Sequence, residues 1–391
     1  MSGVQSAPPS TVVVTGLGGW TPAGVGFASL WDALRGGDNG LHPIGSDSAY
    51  PEAVVGRISD LKPFRAAFPS VRPPLPIPPS RFAMVAAKTA LDDAALDEGT
   101  RERFGVMANR NRGPGGVVVK IMTPVFAKGP KKTSPLLFSQ SVSNAPLGAV
   151  ATACGLRGPH LLTMRGGALM NAFDVVARGE APGMVVVGFE ELVPRTFDAD
   201  VANGMFEAAS GDDASWRAVV PTEGAVGLVL EDEAHAKRRG ARILARVGGV
   251  ERGQGAVPGH EAPLHLWGAP DPAILARLAQ DALARTSGTL ALHLDHALGV
   301  PTYAAASEHV EAQIAAPRRG SLKGRLGDGV GMGFVASVAV AAKVLHAREI
   351  PGGLLSADAD AVPIDVEQAA TLVSHLDPHC GQSAASLETH V

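Results

Sequence analysis

Cysteine, tyrosine and tryptophan are scarce in this sequence: its 391 residues include 2 Cys, 2 Tyr and 4 Trp. The two cysteines, at positions 154 and 380, are too few for a disulfide framework, which favours a reducing compartment. No apolar run approaches membrane-spanning length, and a net charge of −4 gives no basic excess for binding nucleic acid. We therefore expect a cytoplasmic protein without membrane or nucleic-acid partners.

Hydrophobic residues make up 46% of the chain, and glycine is abundant with 47 residues. Together with the length, this predicts a large core and two domain-sized halves. The most regular stretch, residues 144–191, alternates helical and strand patterns as an α/β fold does. We predict a helix at Asn144–Cys154, a strand at His160–Thr163, a helix at Ala168–Arg178 and a buried strand at Met184–Gly188.

The turn between the short strand and the second of these helices has the pattern of a nucleophile elbow, in which a strand leads through a tight turn into a buried helix. An enzyme would place Cys or Ser at that turn, but this chain has Met164 and Arg165. The motif Thr152–Gly155 spells a nucleophile sequence, yet its Cys154 lies late in the preceding helix. We interpret Cys154 as a small packing residue.

Several landmarks in the same stretch form a family pattern: Asn144 with Gly148, Gly155-Leu156-Arg157-Gly158-Pro159, Gly179-Glu180-Ala181 and Gly188-Phe189-Glu190-Glu191. They resemble the β-ketoacyl synthases of the thiolase superfamily, and the resemblance extends over roughly residues 10–388. It implies an α/β thiolase fold with five αβαβα layers. The two similar halves would be residues 10–245 and 246–389.

The same resemblance indicates which catalytic groups are missing. Synthases of this family use two His residues as hydrogen-bond donors to the developing enolate. Residues 297–302 match the first motif with Leu298 in place of His, and residues 320–326 match the second with Arg325 in place of His. Leucine has no donor, and arginine cannot act as a base at neutral pH. With the nucleophile also absent from the elbow, no acyl-transfer apparatus is expected.

Gly324-Arg325-Leu326 and the C-terminal Ser383–Leu387 resemble the chain-length factors of type II polyketide synthases. This resemblance implies a non-catalytic subunit that forms a heterodimer with an active ketosynthase, which supplies the nucleophilic Cys and both His residues. The complex would act on polyketide, polyene or fatty acyl chains delivered by an acyl carrier protein. The resemblance implies no cofactor and no metal.

A length gate is also implied by this resemblance, on the helix predicted at Val117–Phe126. In a gap-free overlay, the gate positions are Gly115, Val118 and Met122. Their spacing places them on one helix face if the helix begins as early as Gly115. Because Gly and Val are small and Met is flexible, we expect an open tunnel at this level, with ordinary core packing as the alternative.

Two other functions remain open at this point. The first is an active acyltransferase with an atypical nucleophile such as Cys154 or Ser321, and the second is a homodimeric pseudoenzyme or binding protein. The basic run Lys237-Arg238-Arg239 suits either an acidic carrier protein or the C-terminus of its own helix.

Three further motifs have competing interpretations. Gly16-Leu17-Gly18-Gly19 resembles a dinucleotide fingerprint, but the third glycine is missing, so we predict a strand at Thr11–Gly16 followed by a turn. His293 and His296 would point to opposite faces of one predicted strand, which disfavours a metal site. The glycines from Gly327 to Gly333 suit a phosphate cradle or close backbone packing, and we favour packing.

Overall fold

The computed structural model describes residues 9–71, 77–164, 166–202, 219–255, 270–296, 301–355, 359–377 and 381–390. Within these ranges, one large mixed sheet and two small sheets are surrounded by helices. The strands are β1 (Val12–Thr21), β2 (Gly24–Val25), β3 (Leu41–Pro43), β4 (Val54–Gly56), β5 (Gly105–Asn109), β6 (His160–Thr163), β7 (Gly183–Glu190), β8 (Gly224–Asp232), β9 (Ala245–Gln254), β10 (Thr289–His296), β11 (Arg319–Gly320), β12 (Glu349–Ile350), β13 (Val362–Pro363), β14 (Ala369–Leu376) and β15 (Gly381–Glu388).

The helices of the described ranges vary from one turn to four turns. They are α1 (Phe27–Leu34), α2 (Lys62–Ala67), α3 (Pro78–Asp93), α4 (Glu98–Arg101), α5 (Gly115–Lys128), α6 (Pro135–Phe138), α7 (Ala145–Cys154), α8 (Gly167–Ala177), α9 (Pro194–Ala202), α10 (Glu233–Arg238), α11 (Pro272–Leu283), α12 (Pro301–Ile314), α13 (Lys323–Leu326), α14 (Gly333–Ala347) and α15 (Gly352–Leu355). None of these helices is both long enough and apolar enough to cross a bilayer.

The strand order of the large sheet repeats. One set of strands runs β6-β5-β7-β8-β1, and the other runs β11-β10-β14-β15-β9 in the corresponding order. Antiparallel pairing of β1 with β9 joins the two sets. In each set the two outer pairs are parallel, and the two pairs nearest the junction are antiparallel. The first set comes from the chain before residue 233 and the second from the chain after residue 244.

Two central helices, α8 and α14, occupy equivalent places in the two sets. Helix α8 packs on β7 and β5, and α14 packs on β14 and β10, while each also contacts strands of the other set. On the other side, α3 covers β1 and β8, and α11 covers β9 and β15. The largest apolar cluster of the described residues lies around the two central helices.

Helix α14 explains why the centre packs so closely. Its sequence, GFVASVAVAAKVLHA, is apolar on nearly every side, as expected of a helix buried all round. Glycines at the approach allow backbones to touch: a methyl group on Gly331 would overlap the carbonyl oxygen of Phe189, and one on Gly333 would overlap the His296 ring. The preferred interpretation of this glycine-rich turn, close backbone packing, is thereby confirmed.

The predicted turn after Thr11–Gly16 is wrong, because β1 continues through the glycines to Thr21. Both Gly16 and Gly18 face α3, where a methyl group on either would overlap the helix backbone at Ala90. The glycines therefore allow α3 to pack directly against β1. The dinucleotide interpretation requires a turn at these glycines, and the strand has none there. In contrast, the elements predicted within residues 144–191 are confirmed, with boundaries shifted by at most two residues.

Candidate functional site

The elbow lies between the end of β6 and the start of α8, and Asn109 at the end of β5 holds it in place. The Asn109 Oδ1 atom accepts a hydrogen bond from the Gly166 N–H at 3.0 Å. Its Nδ2 group donates to the Gly331 carbonyl at 2.8 Å. This buried side chain therefore ties the start of α8 to the turn before α14. Met164 is half exposed at the elbow, and Arg165 lies outside the described residues.

Beneath the elbow, three polar side chains lie on one face of neighbouring strands: His296 on β10, His375 on β14 and Ser383 on β15. The two His rings stack with centroids 5.4 Å apart, and Phe334 of α14 stacks on His375 at 5.5 Å. A methyl group on Gly166 would lie 2.9 Å from the Ser383 hydroxyl, so this row packs directly against the elbow.

Burial determines the charge of these His rings. It lowers the pKa of His296 to about 4, and burial together with the neighbouring His296 lowers the pKa of His375 well below its usual value. Both rings are therefore neutral at physiological pH. A base with so low a pKa is poorly matched to proton transfer near neutrality, so this row is suited to packing.

The opposite face of β10 carries His293 and Asp295, as the alternation of a strand requires. The His293 Nε2 atom lies 2.8 Å from the Ser374 hydroxyl, and Asp295 pairs with Arg319 at 3.0 Å. The prediction that His293 and His296 point to opposite faces is confirmed. Across the part of the chain that the structure describes, no three His, Cys, Asp or Glu side chains are grouped to hold a metal ion.

Cys154 is the last residue of α7 and is only 4% exposed. Burial raises the pKa of its thiol to about 12, outweighing the nearby Arg101 and Lys88. Because the thiolate is the nucleophilic form, this cysteine is inert at neutral pH. The interpretation of Cys154 as a packing residue is confirmed. Cys380 and Leu298 lie outside the described residues.

Arg325, at the position matched to the second His, belongs to the one-turn helix α13. It is half-buried and packs against α15, where a methyl group on Gly353 would lie 2.9 Å from the Arg325 Nε. The Ser321 hydroxyl accepts a hydrogen bond from the Lys323 N–H at 3.3 Å. Ser321 thus contributes to the turn that starts α13.

The three gate positions share α5, which does begin at Gly115. Gly115 lines a cavity of about 60 Å3, where a methyl group on it would lie 3.6 Å from both Val193 and Thr196. Val118 and Met122 instead lie at the protein surface, 41% and 36% exposed. The structure therefore places one gate position on this cavity and the other two on an exposed face.

Carboxyl groups surround this cavity, and the sequence reasoning missed them. Glu190, Glu191 and Asp328 line it. Arg110, buried beside them, lies 3.9 Å from Glu190 and 3.5 Å from Glu191. Burial raises the pKa of Asp328 to about 6, and it raises the pKa of both glutamates despite Arg110. The available signal was the position of Glu190 and Glu191 directly at the end of a fully apolar strand.

Large apolar side chains are exposed along α5 and α6. Val118, Met122 and Phe126 follow one another at a spacing of four residues, and Phe126 is 82% exposed. Leu136 and Phe138 on α6, which packs against α5, are 48% and 63% exposed. We call these five residues the α5–α6 face. The strand β6, with Leu161 exposed, forms an edge of the large sheet.

Comparison with known proteins identifies the family. The family described as "Beta-ketoacyl synthase, N-terminal domain" matches residues 10–236. The sequence is 31% identical over 249 residues to the Actinorhodin polyketide putative beta-ketoacyl synthase 2 of Streptomyces coelicolor, a match that covers 59% of this chain and 60% of that protein. The chain thus spans about three fifths of the length of the curated relatives it matches.

Solved structures of other proteins superpose on almost the whole of this chain. "The ishigamide ketosynthase/chain length factor" superposes with a TM-score of 0.79 at 19% identity, covering 98% of this chain and 100% of that one. A type II polyketide synthase acyl-carrier protein in complex with its ketosynthase bound to the hexaketide, AntDE:AntF, gives 0.75 at 18% identity with the same coverage.

The repeated strand order and these superpositions define a thiolase fold built from two similar halves. Within that fold class, the chain belongs to the β-ketoacyl synthase family. The predicted fold and family are both confirmed.

Proposed function

We propose that the protein is a non-catalytic, chain-length-factor-like subunit that pairs with an active ketosynthase and shapes the tunnel at their interface. The observation that carries this proposal is the exposed α5–α6 face. Soluble monomers rarely expose a continuous group of large apolar side chains, and such a group usually marks a protein interface. Within the described residues β6 is an edge strand, and its outer side offers backbone hydrogen bonds to a second chain as well.

The state of the catalytic positions supports an inactive subunit. Met164 stands at the elbow, Cys154 is a buried protonated thiol, and Arg325 packs against a neighbouring helix. No described residue near the elbow combines a nucleophile with a base of suitable pKa. The active partner would therefore supply the Cys and both His residues.

The comparisons support the partner and the substrate class. One structural neighbour is described as a ketosynthase/chain length factor, and the other as a ketosynthase bound to acyl-carrier protein and a hexaketide. By analogy, we propose that this chain and its ketosynthase act on acyl chains carried by an acyl carrier protein. We also retain 10–245 and 246–389 as the two halves, and the cytoplasm as the compartment.

Co-expression with Cys-containing ketosynthases encoded beside it tests this proposal. Interfaces of obligate pairs bury thousands of square ångströms, so a stable complex should survive size-exclusion chromatography. Phe126→Asp should abolish co-elution or weaken binding by about tenfold or more, because it places a charge at the centre of an apolar interface. Val366→Asp is the matched control, since Val366 is an exposed valine in a distant segment of the chain.

The same experiment separates the alternatives. A homodimer that ignores every ketosynthase, yet is disrupted by Phe126→Asp, would identify a homodimeric binding protein. Condensation of acyl and malonyl units by the purified chain alone would show that it is an enzyme. Complex formation together with condensation only in the presence of the partner is the result we expect.

A further inference from the structure

A second cavity lies beside β1, where α1, α14, the last residue of α3 and the loop before β9 meet. Its volume is about 170 Å3. That is close to the roughly 150 Å3 that holds a benzene ring in an engineered protein cavity. The inner walls are apolar and are formed by Leu17, Phe27, Trp31 and Leu244, each under 8% exposed.

A single ammonium group lies inside this cavity. Lys343 is the one Lys, Arg, Asp or Glu residue in the sequence of α14, and it is only partly exposed. Its Nζ atom lies 5.8 Å from the centroid of the Trp31 ring. Among the ion pairs of the described residues, none involves Lys343. A half-buried cation without a carboxylate partner is an anchor for an anion.

The other charged groups at the cavity do not form an ion pair with Lys343. Arg242 pairs with Asp93 at 2.7 Å, and Asp93 also accepts the Leu17 N–H at 2.9 Å, so this carboxylate is already engaged. Asp32 is exposed at the rim, where water screens its charge. The lining is therefore neutral overall, with Asp32 and Asp93 against Arg242 and Lys343, and of its two cations only Lys343 has no carboxylate partner among the described residues.

We propose that this cavity binds a small aromatic or branched apolar carboxylate, with the carboxylate on Lys343 and the apolar group against Trp31 and Phe27. An apolar group of that size fits the apolar walls, and burial from water supplies the main driving force. The carboxylate gains a charge-assisted hydrogen bond from an ammonium that has no ion-pair partner among the described residues. This site is separate from the elbow and from the cavity at Gly115.

Calorimetric titration of the full chain, in whatever assembly it purifies, tests this site with benzoate as the probe. We expect saturable binding of benzoate and about tenfold weaker binding of benzyl alcohol, which keeps the ring and lacks the charge. Lys343→Met keeps an apolar stem and should weaken benzoate binding by about tenfold or more. Lys62→Met, at an exposed lysine of α2, is the control and should bind as the wild type does.

A second variant keeps the test decisive if Lys343→Met fails to fold. Ala28 is exposed and lines the cavity from α1, so Ala28→Phe should fill the mouth without touching the core. This variant should lose benzoate binding while its circular dichroism stays unchanged. Absence of saturable binding to the wild type would overturn the proposal, and so would binding that neither variant weakens. Preferential binding of benzylamine would assign the site to Asp32 and a cation instead.

Discussion

Replacing His296 by Asn should remove part of the acid sensitivity of folding, and the structure gives the size of the effect. Burial lowers the folded-state pKa of this His to about 4, from 6.5 in the unfolded chain. The unfolded state therefore binds more protons between these two values, and stability is lost as pH falls through this window. Between about pH 7.5 and about pH 5 the loss from one such site is about 2 kcal/mol.

The assay is urea unfolding of the wild type and of His296→Asn across this pH range. The variant loses ring stacking and should be less stable than the wild type at neutral pH. The difference should shrink by about 2 kcal/mol on going to pH 5, because only the wild type must keep the ring of residue 296 neutral at that pH. A difference that stays constant with pH would refute the reasoning, since it would mean that His296 is hydrated or already charged in the folded state.

Glu223 provides an internal control of opposite sign. Its carboxylate accepts backbone N–H groups at 2.8 and 3.3 Å, yet burial raises its pKa from 4.5 to about 7. A raised carboxyl pKa contributes stability that is present below the unfolded value and is lost as pH rises through 7. Glu223→Gln should therefore remove a loss of stability that occurs as pH rises from about 4.5 to about 7, whereas His296→Asn removes a gain of stability over nearly the same range.

Three further predictions concern single positions. Cys154→Ala should leave condensation by the complex unchanged and cost about 1 kcal/mol of stability or less, measured by carrier-bound product formation and urea unfolding. Asn109→Ala should cost about 3 kcal/mol in urea unfolding, because it leaves the Gly166 N–H and the Gly331 carbonyl without partners. Gly115→Phe should fill the cavity and shorten the products seen by mass spectrometry of the complex, with overpacking of about 1–3 kcal/mol. Gly115→Ala is its control, because a methyl group there makes ordinary 3.6 Å contacts.

Patterns local to the chain predicted much of this fold. The helices and strands of residues 144–191 were predictable from the spacing of apolar residues within each segment, and the structure contains them. The prediction failed at Gly16 and Gly18, where glycine usually indicates a turn. Their role is set by α3, about seventy residues later in the chain, which approaches the strand too closely for any side chain. A local pattern carries no information on that contact.

The candidate site depends even more on distant contacts. His296, His375 and Ser383 form a row only because the register of β10, β14 and β15 places them side by side. The cavity at Gly115 likewise collects Glu190 and Asp328 from separate segments. Residue identity alone marks such groups as polar, and only the sheet order shows that they are buried together. The gate positions were easier to place because one helix carries all three.

The position of α5 connects the cavity to the proposed interface. Gly115 lines the cavity, whereas Val118 and Met122 lie on the exposed α5–α6 face, so one helix borders both the cavity and an open surface. If a partner covers that surface, Val118 and Met122 become walls between the two chains, and the cavity at Gly115 lies at one end of the enclosed space. A gate built in this way has no closed tunnel until the partner binds. Length control should therefore be a property of the pair, and exchanging the partner should alter product length even when every residue of this chain is kept.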